Sequence, residues 1–293
     1  MKTIGIDIGG TQLRVATLDE EFKIIDVFKS TNDHSLTCEE NCDKLIDFIN
    51  SQDEEFRGIG IGCPGPLDIK RGMVINPPNL VGWDNFEIVK YFESKTGLKT
   101  WLSNDANVAG LSEALLGGGK GYESVVFFGL STGFGGAYVY QGKIVNGANG
   151  NAAEWWNMIV DEDPWHHKNA NPGSLNEQCA GSGLQRVATR VYGRDVLPKE
   201  LFMMYEHGDE RAVKIIEDAT EKMAKGIANI TCVIDPDVII GGSVAIYNPF
   251  YFEMAMKKAR KYMLSPDGVK VEKAMFGDDA GLIGAALLVE SSK

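Results

Sequence analysis

Glycine turns at the ends of predicted strands are the feature that most constrains this sequence. A short apolar segment runs into paired glycines at three places: Gly9-Gly10, Gly135-Gly136 and Gly241-Gly242. Glycine turns let the main chain approach an anion closely, so backbone N–H groups can bind phosphate there. Because each turn closes a strand, where open α/β sheets place their ligands, the pattern predicts that all three face one nucleotide.

Strands and helices are predicted to alternate along the 293 residues. Three apolar runs, at 3–8, 13–18 and 22–28, are separated by close turns, which predicts an antiparallel meander at the start of a mixed sheet. Helical periodicity predicts a helix over 37–50, with Thr37 as its N-cap and Glu40 completing a capping box. This alternation predicts the α/β fold class.

Composition excludes several classes of protein. The chain is 44% hydrophobic and 24% charged, which allows a large core and about two domains. Its net charge of −12 repels phosphate backbones and anionic lipid, so we expect neither nucleic acid nor membrane as a partner. The start of the chain has no signal-peptide pattern, and the five cysteines form no CxxC pair. We therefore expect a cytoplasmic protein with free thiols.

The first glycine turn carries further polar groups. Asp7 precedes Gly9 and Gly10 at the strand end, and Thr11 and Gln12 follow with additional hydrogen-bond donors. This arrangement predicts phosphate binding by residues 9–12, with Asp7 holding Mg²⁺ through water. The alternative interpretation is an ordinary hairpin with an aspartate at its mouth.

Asn104 and Asp105 follow a short predicted strand and open a helix. One interpretation is structural, with Asp105 as the N-cap of that helix. The functional interpretation is a general base at the carboxyl end of a strand.

Together these pieces resemble the ROK family of bacterial sugar kinases, within the actin/hexokinase/Hsp70 superfamily. The matching segments are DIGGT at 7–11, GIGCPGPLD at 60–68, PPNLVGW at 77–83, SNDANVAGLSE at 103–113, LSTGFGG at 130–136, Glu154, and GG at 241–242. They occur in family order over nearly the whole chain. The resemblance implies a two-lobe α/β fold of the actin-like ATPase (ribonuclease H-like) type, with a central cleft between the lobes. The small lobe would comprise 1–116 plus 281–293 and the large lobe 117–280, and the family suggests a homodimer.

The resemblance also implies roles for individual residues. Asp105 matches the catalytic base that takes a proton from a sugar hydroxyl, usually the one on C6. Sugar-binding positions are matched by Asn79, Asn104, Asp105, Glu154, Asn157 and Glu177. ATP-binding positions are matched by Asp7, Gly9, Gly10, Thr11, Thr132, Gly133, Gly241 and Gly242. The implied activity is ATP- and Mg²⁺-dependent phosphorylation of a hexose or amino sugar, with glucose, fructose, N-acetylmannosamine and glucosides as alternative substrates.

One segment departs from the family pattern. Typical members carry ExGH and then CxCGxxGCxE, whose histidine and three cysteines bind zinc. Here Asn157 replaces the histidine, and residues 169–177 contain no cysteine, so we expect no zinc site. Placing Glu177 at the second acidic sugar position requires one inserted residue, which leaves Asn176 as the alternative.

Three other functions compete with the kinase. A sugar-responsive repressor of the same family would carry a helix-turn-helix arm before the first strand, whereas strand one begins here at about residue 3. A sugar-binding sensor without turnover would not need Asp105, Asp7 and the glycine turns together. A chaperone-like ATPase would not need Asn79, Asn104, Asp105 and Glu154 together.

Overall fold

The computed structural model describes residues 1–167 and 169–291. The chain divides into two compact units. The first comprises Met1–Lys120, Ala137–Ala152 and Met275–Lys293, and the second comprises Gly121–Gly136 and Ala153–Ala274. The lobe boundaries given above stay a prediction.

The first unit contains a five-stranded sheet in the order β3-β2-β1-β4-β7. Its strands are β1 (Lys2–Ile8), β2 (Gln12–Leu18), β3 (Ile24–Thr31), β4 (Phe56–Cys63) and β7 (Thr100–Asn104). The antiparallel pairing of β1 with β2 and of β2 with β3 confirms the predicted meander, while β4 and β7 run parallel to β1. A two-stranded hairpin, β5 (Leu67–Asp68) and β6 (Met73–Val74), follows β4.

Helices cover both faces of this sheet. They are α1 (Cys38–Asn50), α2 (Ile88–Thr96), α3 (Asp105–Leu115) and α10 (Ala280–Ser291). Ile4, Ile6 and Ile8 point to one face, where they share a core with the buried side of α1. On the other face Gly5 and Gly60 leave room for the main chain of α10, because a Cβ on Gly60 would lie 1.7 Å from Ala285 O. The predicted cap is confirmed: Thr37 and Glu40 form a capping box on α1.

The second sheet has the order β10-β9-β8-β11-β12. Its strands are β8 (Ser124–Leu130), β9 (Phe134–Tyr140), β10 (Lys143–Ile144), β11 (Val238–Ser243) and β12 (Lys270–Lys273). The accompanying helices are α4 (Leu175–Cys179), α5 (Gly181–Tyr192), α6 (Pro198–Glu206), α7 (Glu210–Ile234), α8 (Val244–Tyr247) and α9 (Pro249–Ala259). Short 3₁₀ helices lie at Trp155–Asn157 and Gly277–Asp279.

Helix α7 is amphipathic and has an N-cap. Its buried positions, among them Ile216, Met223 and Ile227, repeat at helical spacing, and Asp209 caps its start through the N–H groups of Arg211 and Ala212. Across the described residues, no helix combines the length and the apolar character needed to cross a bilayer. The α/β class predicted from the sequence is thereby confirmed, with two sheets and helices between the strands.

Candidate active site

Asp7 is held by an arginine on the neighbouring strand. Asp7 and Arg14 are direct cross-strand partners of β1 and β2. Arg14 Nε donates to Asp7 Oδ2 at 3.0 Å, and Arg14 Nη2 also donates to Asp7 and to Asp278 O. Asp7 Cγ lies 3.2 Å from the position that a Cβ on Gly281 would take, so its charge faces the positive N-terminal end of α10. Asp7 is therefore a fixed, partly neutralised carboxylate.

The first glycine turn is closed by the main chain. The Gly9 N–H donates to Gln12 O at 2.9 Å, so Gly9 shapes the turn through its own hydrogen bond. Asn32 is 2% exposed, and its Nδ2 donates to Gly9 O at 3.1 Å. A Cβ on Gly10 would lie 2.7 Å from Asn79 O. Only glycine fits there, and it brings the predicted sugar-binding Asn79 beside the predicted phosphate turn.

Asn104 and Asp105 lie at the carboxyl end of β7, as predicted. The N-cap of α3 is Asn104 rather than Asp105: its side-chain oxygen accepts the Ala106 N–H at 2.9 Å. The capping interpretation of Asp105 was therefore wrong, and Asp105 is the first residue of the helix. Asn104 has the extended backbone that capping requires, so the side chain before the helix makes the cap, and Asp105 Oδ1 also accepts the Ala106 N–H, at 2.8 Å.

The register of the strands brings Asp7 and Asp105 to one edge of the sheet. Asp7 pairs with Gly62, and Gly62 pairs with Ser103, just before Asn104. Burial and then the charges of Asp105 and Asp7 raise the pKa of the Cys63 thiol well above its ordinary value. Both carboxylates thus lie near the carboxyl ends of parallel strands, the position at which sheets of this class bind ligands.

In the second unit, the turn at 131–134 is fastened to the start of α5. The Ser131 N–H donates to Gly133 O at 2.8 Å. Ser131 O accepts the Gly181 N–H at 2.9 Å, and Thr132 O accepts the Ser182 N–H at 3.0 Å. These bonds hold the turn while the Thr132 side chain stays exposed.

Asn176 and Glu177 have different environments. Asn176 Oδ1 accepts the Phe134 N–H at 3.0 Å, and its Nδ2 donates to Glu177 Oε1 at 3.1 Å. The Asn176 side chain therefore links the glycine turn to Glu177 through hydrogen bonds. Glu177 is 3% exposed and carries a carboxylate at the buried end of this arrangement. Its assignment to the sugar stays a prediction.

Glu154 is exposed and accepts a hydrogen bond from Trp156 Nε1. The buried Trp155 packs on Gly136, where an added Cβ would lie 2.0 Å from Trp155 Cδ1. Asn157 Oδ1 accepts the Asn171 N–H at 2.6 Å. The residue that replaces the family histidine thus holds a neighbouring segment through its oxygen, while its Nδ2 is the part left to contact a sugar.

Residues 157–161 and 171–175 form an antiparallel ribbon, which we call the 157–175 ribbon. Leu175 N–H donates to Met158 O, and the Val160 and Asp161 N–H groups both donate to Gly173 O. Gly173 has φ of 67°, and a Cβ there would lie 1.9 Å from Asp161 O, so the ribbon requires glycine at this position.

Two cations that the sequence analysis missed fasten this ribbon. Arg186 on α5 pairs with Asp163 at 3.1 Å, donates to Glu177 O at 3.0 Å and stacks on Trp165 at 4.2 Å. Lys222 on α7 lies 2.7 Å from both Asp161 and Asp218. Its Nζ also donates to Gln178 Oε1 at 2.9 Å.

These contacts change the pKa values of Asp161, in the ribbon, and Asp163, two residues after it. Burial by itself would raise the pKa of Asp163. The Trp165 N–H, Gln178 and Arg186 together lower it by more than burial raises it, so the pKa lies below the ordinary value. Burial also raises the pKa of Asp161, but Lys222 and the Glu162 N–H outweigh that effect, so the pKa of Asp161 is lowered as well. Both groups are therefore stabilised as carboxylates. The sequence around Asp161 and Asp163 gives no local sign of these pairs, because their partners are far away in sequence.

Gly241 and Gly242 end β11. Gly241 O accepts the Ala274 N–H at 3.0 Å, and a Cβ on Gly242 would lie 3.1 Å from the Phe127 ring. The next residue, Ser243, has φ of 48°, so the chain turns sharply immediately after the glycines. These backbone features fit the turn predicted there, and nucleotide binding by the pair stays a prediction.

In the part of the chain that the structure describes, including the segment that corresponds to the family zinc motif, no group of three or more His, Cys, Asp or Glu side chains is suited to a metal. His166 and His167 are exposed neighbours. Cys179 is fully buried and donates to Ala219 O at 3.3 Å, and burial raises the pKa of its thiol. The absence of zinc stays a prediction.

Comparison with known proteins decides the family. The sequence profile of the ROK family matches residues 3–292. This chain belongs to the ROK family. It is 31% identical to N-acetyl-D-glucosamine kinase of Vibrio atlanticus, over 97% of this chain and 98% of that protein.

Solved ROK structures share the fold. The ROK hexokinase of Thermus thermophilus superposes with a TM-score of 0.90 at 30% identity, covering 98% of this chain and 97% of that one. A ROK family glucokinase from Streptomyces griseus, solved in complex with glucose and AMPPNP, has a TM-score of 0.79 at 27% identity, with coverages of 98% and 99%. The actin-like fold class is confirmed, while a cleft between the lobes stays a prediction.

Proposed function

We propose that this ROK protein is an ATP-dependent sugar kinase that phosphorylates a hexose or an amino sugar, with Asp105 as the general base. The observation that supports this most is the strand register, which brings Asp7 and Asp105 to one edge of the first sheet. Relatives named hexokinase, glucokinase and N-acetyl-D-glucosamine kinase are matched over nearly their whole length.

Asp105 is suited to accept a proton. It is half-buried at the start of α3, at the carboxyl end of β7, and a carboxylate has two oxygens that can accept protons or hydrogen bonds. When a sugar hydroxyl attacks the terminal phosphoryl group of ATP, Asp105 takes the proton from that hydroxyl. We assign the 6-hydroxyl as the acceptor, because the match of Asp105 to the family base implies it.

Sugar recognition is assigned to carboxylates and amides. Sugar hydroxyls offer hydrogen bonds in both directions, so acceptors such as Glu154 and Glu177 and amides such as Asn79 and Asn104 suit them. The carboxylates would repel triphosphate oxygens, which supports their assignment to the sugar rather than to ATP. Asn157 contributes its Nδ2, since its oxygen binds Asn171.

Nucleotide binding is assigned to the glycine turns. Residues 10–12 follow the turn that Gly9 closes, and Thr132 with Gly133 forms the second phosphate segment, while Gly241 and Gly242 lie on the adenosine side. Asp7 fits a role in holding Mg²⁺ through water: Arg14 occupies its Oδ2, which leaves Oδ1 as the acceptor for a metal-bound water. Bound Mg²⁺ would offset the phosphate charge that this acidic chain otherwise repels.

A coupled assay of ADP release over a sugar panel tests the proposal. The panel contains glucose, N-acetylglucosamine, N-acetylmannosamine, fructose and a glucoside, each with ATP and Mg²⁺. We expect saturable turnover with at least one of them, and product analysis should find the phosphate on O6. Sugar binding by calorimetry without any turnover would contradict the proposal and indicate a sensor.

A further inference from the structure

A cavity of about 380 Å³ lies along the outer side of β7, which is the edge strand of the first sheet. Its walls come from the β5–β6 hairpin tip, from β7, from the segment that begins with β10, and from the end of α10. All of these belong to the first unit. Its volume is in the range of small-molecule sites, and neither Asp105 nor any glycine turn assigned above lines it.

The charge of this cavity contrasts with that of the chain. Lys70, Arg71 and Lys143 line it, whereas no acidic residue does among the described lining residues. In the described part of the chain none of these three cationic heads has an ion-pair partner. Asp68, on the same hairpin, uses Oδ1 to accept the Arg71 backbone N–H at 3.0 Å. The protein has a net charge of −12, so three cations around one cavity make the local charge there positive, opposite to that of the whole chain.

Two polar atoms in the wall lack hydrogen bonds. Ser103 is 3% exposed, and its Oγ has no partner among the described residues. Asn146 Oδ1 is likewise buried and without a partner in the described chain. By contrast, Thr100 Oγ1 and Ser291 Oγ, in the same wall, are satisfied by carbonyl oxygens. An unmet buried polar group is costly, so both atoms favour a partner that the described chain does not supply.

We propose that this cavity binds a small phosphate monoester that also carries hydroxyl groups. Arginine and lysine heads recognise a phosphate dianion, and Ser103 Oγ can donate to it. Asn146 Oδ1 can only accept a hydrogen bond, so it requires a hydroxyl donor on the same ligand. The site is separate from the ATP and sugar positions assigned above.

Calorimetric titration of the full chain with glycerol 3-phosphate tests this proposal, because that probe has one phosphate and two hydroxyls. We expect saturable binding at one site, weaker binding of inorganic phosphate, and no binding of glycerol. Affinity should fall as salt is raised, since exposed cations are screened. Repeating the titration with saturating AMPPNP should leave the affinity unchanged, whereas displacement by AMPPNP would overturn the proposal.

Variants locate the binding. Arg71→Ala and Lys143→Ala should each weaken glycerol 3-phosphate binding about tenfold, and Ser103→Ala should weaken it several-fold, since each removes one charge-assisted hydrogen bond. Lys29→Ala is the matched control, because Lys29 is an exposed lysine on β3, the opposite edge strand of the same sheet. Loss of binding in Lys29→Ala, or unchanged binding in Arg71→Ala, would overturn the proposal. These measurements report binding and do not depend on the kinase activity.

Discussion

The first glycine turn and the 157–175 ribbon are both short antiparallel segments that carry candidate site residues, but different forces hold them. Main-chain hydrogen bonds, the buried Asn32 and one cross-strand ion pair hold the turn. The ribbon also has main-chain hydrogen bonds and a required glycine, Gly173, but in addition Arg186 and Lys222 reach it and its neighbouring residues from α5 and α7. Residues fixed by backbone geometry leave a glycine signature in the sequence, whereas residues fixed by distant side chains leave none.

The contacts of the ribbon are relevant to the predicted absence of zinc. A zinc site links two strands of a ribbon through four ligands. Here Asn157 binds Asn171, Arg186 binds Asp163 and Glu177 O, and Lys222 binds Asp161 and Gln178. These contacts connect the ribbon to α4, which carries Asn176 and Glu177. Side-chain cations thus link this segment to α4.

The largest effect is expected from changing Asp105, the proposed general base, which lies in the first unit. This variant tests the chemical step separately from the sugar recognition assigned to the second unit. Asp105→Asn keeps the size of the side chain but cannot accept the proton, so kcat should fall about 10²–10⁴-fold while sugar affinity stays nearly normal. Steady-state kinetics and calorimetry on the best sugar measure this. Asp53→Asn, at an exposed loop carboxylate, is the control. Near-normal kcat in Asp105→Asn would remove it from this role.

Removing the guanidinium of Arg186 tests whether side chains hold the ribbon. Arg186→Met leaves Asp163 without its cation in a site where both side chains are under 20% exposed. We expect a loss of about 2–3 kcal/mol in the free energy of unfolding, measured in urea. Arg194→Met breaks an exposed pair with Glu200 and should cost under about 1 kcal/mol. Equal losses in the two variants would show that the ribbon does not depend on Arg186.

Glu154→Gln tests the assignment of the second unit to sugar recognition. Losing a charged acceptor should raise the sugar KM about tenfold and leave the ATP KM nearly unchanged. Glu162→Gln removes a nearby exposed carboxylate and serves as the control. A larger rise in the ATP KM than in the sugar KM would contradict the assignment.

The ribbon also predicts a pH dependence of stability. The folded pKa values of Asp161 and Asp163 are lowered, so their contribution is complete above the ordinary Asp pKa of about 3.9 and is lost as pH falls through the folded values. Thermal unfolding between about pH 5 and pH 2 should show a steeper loss of Tm for the native chain than for Asp163→Asn. Parallel curves would indicate that Asp163 contributes no such stability.

The smallest expected effect is that of removing metal. Because cations link the ribbon, chelation by EDTA should leave Tm unchanged relative to matched Mg²⁺-free controls. Metal analysis of protein purified without chelator should find no stoichiometric zinc. One tightly held zinc per chain would contradict this and restore His166 and His167 as candidate ligands.

The sequence by itself determined the family, the fold class and the residues at strand ends. Asp7, Gly10 and Asp105 were found because strand periodicity and glycine turns are local properties, written in consecutive residues. The capping box of α1 was found for the same reason.

Only the tertiary structure decided which partners hold these residues. The sequence analysis did not identify Arg14 as the partner of Asp7. The pairing follows from the register of β1 and β2, which the length of the hairpin between them sets. Asn104 took the cap because its backbone is extended, which its residue type alone does not specify. Arg186, Lys222 and the cations of the β7 cavity are brought to their positions by long-range packing. The fold brings these charged side chains close to one another. A single sequence shows that the charges are present but does not show which of them pair.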